Sequence, residues 1–93
     1  MTSARRPRSN RHFVERYRAA AHAGSWDVAK LTAILLRRQL DKDEDLAECL
    51  YAEGYAREQL ADVVLAAACY EMAVRLAGHE KARKRLLLLK GGR

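Results

Sequence analysis

The stretch that decides the fold runs from Asp62 to Gly78 and reads DVVLAAACYEMAVRLAG. Its apolar side chains return every three or four residues, which is the period of an α-helix. Asp62 can cap the start because its carboxylate accepts hydrogen bonds from free N–H groups, and Gly78 can end the helix in a left-handed conformation. We therefore predict a helix from Val63 to Ala77, with Tyr70 at the centre of its buried stripe.

The composition indicates a single helical domain. The chain has 93 residues, among them 17 Ala and 13 Leu but only five Gly and one Pro. Ala and Leu favour helices, whereas strands prefer β-branched and aromatic residues. A chain of this length has room for one hydrophobic core. The predicted fold class is therefore all-α.

Membrane-spanning and disulfide-rich proteins are both excluded by the sequence pattern. The longest apolar run without a charge covers eight residues, from Val63 to Tyr70, whereas a membrane span needs about 20. Two cysteines, Cys49 and Cys69, do not make a disulfide framework in a helical chain. We therefore predict a protein of the reducing cytoplasm that does not enter a membrane.

Four further helices follow from the same periodicity. They are predicted at about Asn10–Ala23, Trp26–Leu40, Asp43–Arg57 and Glu80–Leu89. Ser9 or Asn10 can cap the first of them and Ser25 the second. The resulting division is a flexible basic arm at residues 1–9, a single helical domain at residues 10–90 and a disordered tail at residues 91–93.

The first four helices repeat a pattern at an offset of 37 residues. The segment Gly24–Ala29 aligns with the segment Ala61–Ala66, and in each a small residue, a capping residue and a helical Ala take the same places. One pair of helices cannot bury its apolar face alone. We therefore expect two stacked helix pairs.

Residues 45–80 carry a further pattern of small residues around one aromatic. Its members are Leu50, Gly54, Ala66, Tyr70, Ala73 and Gly78. This pattern resembles a tetratricopeptide repeat, or the related Sel-like repeats, in which an Ala precedes an aromatic by four residues. The resemblance implies two stacked antiparallel α-hairpins plus a C-terminal capping helix. An unrelated antiparallel helical bundle is the alternative.

The sequence departs from that family at three positions. Glu53 and Arg57 stand where the family prefers an apolar residue and an aromatic, and Ala33 replaces the aromatic in the first helix pair. The offset of 37 residues also exceeds the usual length of about 34. A mid-helix glycine is unfavourable by roughly 1 kcal/mol relative to Ala, so we expect a close approach between helices at Gly54.

The resemblance implies a concave groove that binds a partner protein. Carried over, the partner-binding side chains of the first and third helices are Arg11, Val14, Arg18, His22, Glu48, Tyr51, Tyr55 and Glu58. Tyr is a good contact residue because its ring buries area while its hydroxyl can still form a hydrogen bond. The alternative is that Tyr51 and Tyr55 pack within the chain.

The run from Leu86 to Leu89 predicts a second binding surface. Successive helical residues are about 100° apart, so only part of the run can face inward. We expect Leu86 and Leu89 to pack on the core and leave Leu87 and Leu88 exposed, where a second copy or another protein could bind. A homodimer is therefore one prediction, and shielding of all four leucines within the monomer is the alternative.

The net charge of +6 is distributed in blocks. Residues 1–18 carry +5, residues 41–62 carry −6 and residues 75–93 carry +6. Basic blocks are an electrostatic footprint for nucleic acid, which predicts a second candidate interface formed by Arg5, Arg6, Arg8, Lys81, Arg83, Lys84 and Arg85. No aromatics are interleaved with these residues for base stacking, which favours the alternative of a solubilising surface.

No pattern points to catalysis or to a metal. The candidate soft ligands are His12, His22, His79, Cys49 and Cys69, and no pair has the close spacing of a zinc site. No Gly-rich loop follows a strand, so no phosphate cradle is expected. The sequence therefore predicts a protein that is not an enzyme and holds neither metal nor cofactor.

Three function classes follow. The first is a protein-interaction module, such as an adaptor, small chaperone or inhibitor. The alternatives are a nucleic-acid-binding regulatory protein and a self-assembling structural protein. The Ala- and Arg-rich composition suggests a bacterial or phage source.

Overall fold

The computed structural model describes residues 5–91, with side chains from Asn10 onwards. This part of the chain forms five helices and no strand: α1 (Arg5–His22), α2 (Trp26–Arg37), α3 (Asp43–Gln59), α4 (Val63–Ala77) and α5 (Glu80–Gly91). The all-α prediction is confirmed, and α4 has the predicted bounds. Within the same range, no helix is both long and apolar enough to cross a membrane.

The first helix begins earlier than the sequence suggested. It starts at Arg5 rather than at Asn10, so Ser9 and Asn10 lie inside it and do not cap it. Pro7 does not stop the helix, because a proline in the first turn lacks an N–H group that has no helical partner there anyway. Residues 5–9 of the predicted arm are therefore helical, and residues 1–4, like residues 92 and 93 of the tail, lie outside the described range.

The helix ends follow from local hydrogen bonds. The side chain of Asp62 accepts a bond from the N–H of Leu65 at 3.4 Å, as predicted for a cap, and Gly78 ends α4 with a φ of 59°. Ser25 precedes α2 but its side chain makes no capping bond. After α2 the N–H of Gln39 bonds three residues back, to Leu36 at 2.8 Å, and this tighter turn ends the helix before the predicted Leu40.

The turns after α1 and after α3 have the same backbone geometry. Gly24 and Ala61 both take a positive φ, of 77° and 66°. In each turn the next N–H donates to the carbonyl five residues before it, at 2.8 Å from Ser25 and at 2.9 Å from Asp62. Ala61 and Asp62 lie 37 positions after Gly24 and Ser25, so the offset seen in the sequence also relates the backbones of the two turns.

Each helix packs mainly against the helices next to it in the chain. The largest buried cluster joins α3, α4 and α5 and consists of Ala47, Leu50, Ala66, Tyr70, Ala73 and Ala82. Tyr70 is completely buried there, as predicted. A Cβ atom on Gly54 would lie 2.8 Å from Cε1 of Tyr70, so the expected close approach between helices is confirmed.

A buried ion pair joins α2 to α3 at one of the departures from the tetratricopeptide pattern. The side chain of Glu53 is 3% exposed, and its Oε2 accepts a hydrogen bond from Nε of Arg57 at 2.9 Å. Its Oε1 lies 3.5 Å from Nη2 of Arg37 but forms no hydrogen bond. A buried charge needs such partners, and here one comes from the next turn of α3 and the other from the last residue of α2.

Candidate functional site

A groove lies between α1 and α3, with α2 as its floor. Its volume is about 580 Å³, which is within the range of sites that bind ligands. The lining residues are Asn10, Val14, Tyr17 and Arg18 from α1, Ala33 and Leu36 from α2, Leu40 after α2, and Asp45, Glu48, Cys49, Tyr51, Ala52 and Tyr55 from α3. The lining from Asp45 to Tyr55 spans eleven residues, which corresponds to about 15 Å of helix.

Tyr17 connects the two walls of the groove. Its hydroxyl donates a hydrogen bond to the carbonyl of Ala52 at 2.7 Å. One turn further on, Ala20 and Ala56 belong to the same buried cluster, together with Ala29 of α2, so α1 and α3 run in the same direction. Burial raises the pKa of the Tyr17 phenol to about 12, so the hydroxyl keeps the proton that it donates.

The two ends of the groove carry opposite charge. Asp45 and Glu48 stand at the end near Asn10, and Arg18 stands at the end near Tyr55. Neither Asp45 nor Arg18 forms an ion pair with any residue of the described range. Both charges are therefore available to a bound segment.

Aromatic rings follow one another along α3. The ring of Tyr55 lies 5.6 Å from that of Trp26 and 6.3 Å from that of Tyr51, and Tyr51 stacks on His79 at 5.0 Å. The guanidinium of Arg85 lies 5.6 Å from the centre of the Tyr55 ring, which is cation–π distance. These contacts hold the rings in place, and the hydroxyls of Tyr51 and Tyr55 have no hydrogen-bond partner among the described residues.

His79 connects the groove wall to α5. Its Nδ1 accepts a hydrogen bond from the N–H of Ala82 at 3.1 Å, in the first turn of α5. A nitrogen that accepts carries no proton, so in the neutral ring Nε2 carries it and donates to Oε1 of Glu48 at 2.8 Å. His79 thus holds Glu48 and stacks on Tyr51 while it caps α5.

Glu58 belongs to the contact between α3 and α5 rather than to the groove. Its carboxylate accepts a hydrogen bond from the Tyr70 hydroxyl at 2.8 Å and pairs with the guanidinium of Arg85. Burial alone would raise the pKa of the Glu58 carboxyl, but the bonds from Arg85 and Tyr70 outweigh burial and hold this pKa below its ordinary value of 4.5.

Five of the eight predicted groove residues line the groove, namely Val14, Arg18, Glu48, Tyr51 and Tyr55. Arg11 is exposed and lies 4.0 Å from Glu15 on its own helix. His22 is exposed at the end of α1 and is not in the lining. Tyr51 and Tyr55 combine both predicted roles, because their rings pack within the chain and also line the groove.

The sequence reading missed the floor of the groove and its central tyrosine. Ala33, Leu36 and Leu40 recur at helical spacing, as does Tyr17 with its apolar neighbours, and such spacing predicts an inward-facing stripe. The groove lies directly over that inward surface. The one signal that could have indicated it is the 37-residue alignment, in which Ala33 stands where the second helix pair has a tyrosine.

The second predicted surface lies on α5. Leu87 and Leu88 are 64% and 60% exposed, while Leu86 and Leu89 pack against the cluster around Tyr70, as the helical geometry predicted. The alternative, in which the monomer shields all four leucines, is therefore wrong.

The predicted nucleic-acid residues do not form one described surface. Lys81, Arg83 and Lys84 are exposed, but Arg85 points to α3 and pairs with Glu58. The side chains of Arg5, Arg6 and Arg8 lie outside the described residues. Nucleic-acid binding stays a prediction.

Neither thiol is placed for chemistry. Burial raises the pKa of the Cys49 thiol to about 12 and that of the Cys69 thiol to about 11, so both stay protonated at neutral pH. The Cys49 thiol donates to the carbonyl of Ala33 at 3.1 Å. Between residues 5 and 91 there is no group of three or more His, Cys, Asp or Glu side chains that could hold a metal ion.

Comparisons of the chain with protein-family models, with curated proteins and with solved structures found no match.

Proposed function

We propose that this chain is a non-catalytic protein-interaction module that binds a segment of a partner protein in the groove between α1 and α3. The observation that carries this proposal is the combination of an apolar floor with unpaired polar groups on both walls. The floor is formed by Ala33, Leu36 and Leu40. Such a site favours an apolar side chain flanked by groups that form hydrogen bonds or ion pairs.

The tyrosines of the groove supply contact area with little loss of entropy. The rings of Tyr51 and Tyr55 are already held by Trp26, His79 and Arg85. A side chain fixed before binding loses little rotamer freedom on association. The free hydroxyls are then available to backbone groups of the bound segment, which is why tyrosine often dominates binding energy.

The charges give the bound segment a direction. Asp45 and Glu48 favour a basic group at their end of the groove, and Arg18 favours a carboxylate at the other. A segment in the reverse orientation would place like charges together and lose these ion pairs.

The same proposal includes the architecture of two stacked tetratricopeptide-like hairpins with α5 as the capping helix. The repeated turns at Gly24 and Ala61 support it, because both have the same φ sign and the same hydrogen bonds. The free thiols of Cys49 and Cys69 agree with a reducing compartment such as the cytoplasm. In that setting the chain would act as an adaptor, a small chaperone or an inhibitor.

The test is a charge exchange across the groove. The double variant Arg18→Glu with Asp45→Lys reverses both unpaired charges and leaves the net charge unchanged. The matched control, Arg38→Glu with Asp43→Lys, makes the same exchange at exposed positions outside the groove. Each is used to capture partners from the native host, which are identified by mass spectrometry and then measured by titration.

We expect the groove variant to lose the partner at least tenfold and the control to keep it. Circular dichroism must show equal helix content in both. Capture that is equal for both variants would contradict the groove proposal. Capture of nucleic acid, lost steeply as salt rises, would favour the alternative reading of the basic residues.

A further inference from the structure

The outer face of α5 is the uncovered end of the helix array. Each of the three middle helices packs on a neighbour before it and a neighbour after it, whereas α5 packs on α4 and reaches α3 through His79 and Arg85. Within the described range no later helix covers the side that points away from α4. A surface of α5 is therefore left to solvent or to another molecule.

This face combines apolar and basic side chains in a fixed order. Leu87 and Leu88 are exposed over more than half of their area. Lys84 lies three residues before Leu87 and four before Leu88, and Arg83 lies four before Leu87, so these side chains are neighbours on one side of the helix. Lys81 continues the face by a further turn.

The charge on this face is unbalanced. Arg85 and Lys90 pair with Glu58 and Glu71. In contrast, Lys81, Arg83 and Lys84 pair with no acid among the described residues. Glu80 is the only acidic residue in α5. Glu80 lies three and four residues before Arg83 and Lys84 but forms no ion pair with them, so three cations and one acid stand beside the two leucines.

We infer that the outer face of α5 docks an acidic amphipathic helix of a partner protein. The two leucines fit the apolar stripe of such a helix, and acids spaced three or four residues apart on its flanks reach Lys81, Arg83 and Lys84. Charge complementarity selects this occupant and steers its approach. The surface lies outside the groove, so this inference does not depend on the proposed function.

A second copy of the chain is a poorer fit. It would bring the same three cations and only Glu80 to face them. The exposed face also belongs to a helix of 12 residues, about 18 Å long, which offers well under the roughly 800 Å² per partner that a stable dimer buries. A nucleic acid would pair with the cations but would leave Leu87 and Leu88 without apolar contacts.

The experiment measures binding of three fluorescent helical peptides to the full chain. The first peptide has Leu at positions i, i+3, i+4 and i+7 and Glu on the flanks. The second has the same composition with the Leu positions scrambled, and the third has Lys in place of Glu. The variants are Leu87→Ser with Leu88→Ser, Lys81→Glu with Lys84→Glu, and a control, Arg38→Glu with Arg75→Glu, that changes exposed cations outside α5.

We expect the first peptide to bind at least tenfold more tightly than the second. The leucine variant should bind the first peptide at least tenfold more weakly than the wild type. The lysine variant should lose as much affinity for the first peptide and should gain affinity for the third. The control should stay within twofold of the wild type. Reversal of the groove charge at Arg18 should also leave this binding unchanged, which separates this result from the groove proposal. Because the replaced side chains are exposed, unchanged circular dichroism is expected throughout.

Several results would overturn the inference. They are no binding of the first peptide at 1 mM, equal binding of the first and second peptides, and equal loss in the lysine variant and its control. The inference would also be overturned if sedimentation showed that the wild type self-associates and that the leucine variant does not. Finally, leucine-dependent binding to phosphatidylserine vesicles or to duplex DNA, without peptide binding, would assign the face to another class of partner.

Discussion

The two helix pairs, α1 with α2 and α3 with α4, share one turn and differ in where each places its tyrosine. At the offset of 37 residues, Tyr17 corresponds to Gly54, and Ala33 corresponds to Tyr70. The first pair therefore has its ring on the first helix and a small residue on the second, and the second pair has the reverse. In each pair the ring packs beside the small residue of the other helix. Tyr17 packs against the cluster that contains Ala33, and the Tyr70 ring lies against Gly54.

This exchange of large and small residues decides which pair has a filled interior. We call the second pair, α3 with α4, the closed pair, and the first pair, α1 with α2, the open pair. Tyr70 is completely buried and fills the space between α3, α4 and α5. Tyr17 and Ala33 both line the groove, because an alanine at that place leaves room that a tyrosine fills in the second pair. The comparison teaches that two helix pairs with the same turn geometry can enclose a solid core in one half of the molecule and an open groove in the other.

The largest expected effect breaks the closed pair. Tyr70→Ala should lower the free energy of unfolding by about 3–5 kcal/mol, because it removes a buried ring and leaves a cavity. That is much of the stability of a small domain. Urea unfolding followed by circular dichroism measures the loss. Tyr70→Phe keeps the ring and should lose only about 1 kcal/mol with the bond to Glu58, whereas an unchanged midpoint in the Ala variant would show that the ring is not core.

The small residue of the closed pair gives the next effect. In Gly54→Ala the new Cβ would lie 2.8 Å from Cε1 of Tyr70, so overpacking should destabilise the fold by about 1–3 kcal/mol. Alanine is otherwise the better helix former, so the sign of the change is diagnostic. Gly91→Ala is the control because its Cβ meets nothing within 4 Å, and it should be neutral. A stabilised Gly54 variant would mean that α3 and α4 are further apart.

The open pair should respond less. Tyr17→Phe removes the hydrogen bond to the carbonyl of Ala52 and should destabilise the fold by about 1 kcal/mol, seen as a fall in the thermal midpoint of about 4–8 °C. Tyr55→Phe is the control, since its hydroxyl has no partner among the described residues, and its midpoint should not move. Equal shifts of the midpoint in the two variants would show that the hydrogen bond from Tyr17 to Ala52 does not stabilise the contact between the groove walls.

The smallest expected effect is a pH dependence of stability that comes from Glu58 in the second helix pair. Glu58 contacts Tyr70 in the second pair, and its counterpart in the first pair is Ala21. The folded pKa of Glu58 is lowered, so its contribution is present above the unfolded value of 4.5 and is lost as the pH falls through the folded value. Because the pair with Arg85 is partly exposed, we expect less than about 1 kcal/mol. The comparison is urea unfolding at pH 6 and pH 3, and Glu58→Gln should reduce the difference.

The sequence predicts the second helix pair better than the first. The bounds of α4, the cap at Asp62 and the close approach at Gly54 all follow from side-chain period and from residue types with one strong conformational preference. The start of α1 could not be predicted in this way, because the residues before Asn10 show no apolar periodicity. That segment is helical since nothing in its first turn prevents a helix, and Pro7 is allowed there.

The walls of the groove were easier to predict than its floor. Arg18, Glu48 and Tyr51 are polar or aromatic residues on helix faces that the resemblance directed to one side. Ala33 and Leu36 are apolar and nearly inaccessible, and side-chain periodicity alone does not distinguish the floor of a groove from the inside of a core. That distinction depends on the volume of side chains on two other helices, which periodicity does not report.

Sequential packing has a consequence for how the molecule opens. In an array whose helices touch mainly their chain neighbours, a terminal helix can separate while the rest stays folded, so local unfolding should begin at α1 and at α5. Amide hydrogen exchange is then expected to be slowest in α3 and α4 and faster towards both ends. The groove lies across one such boundary, between α1 and α3, so a bound segment that contacts both walls should slow exchange in α1 far more than in α4.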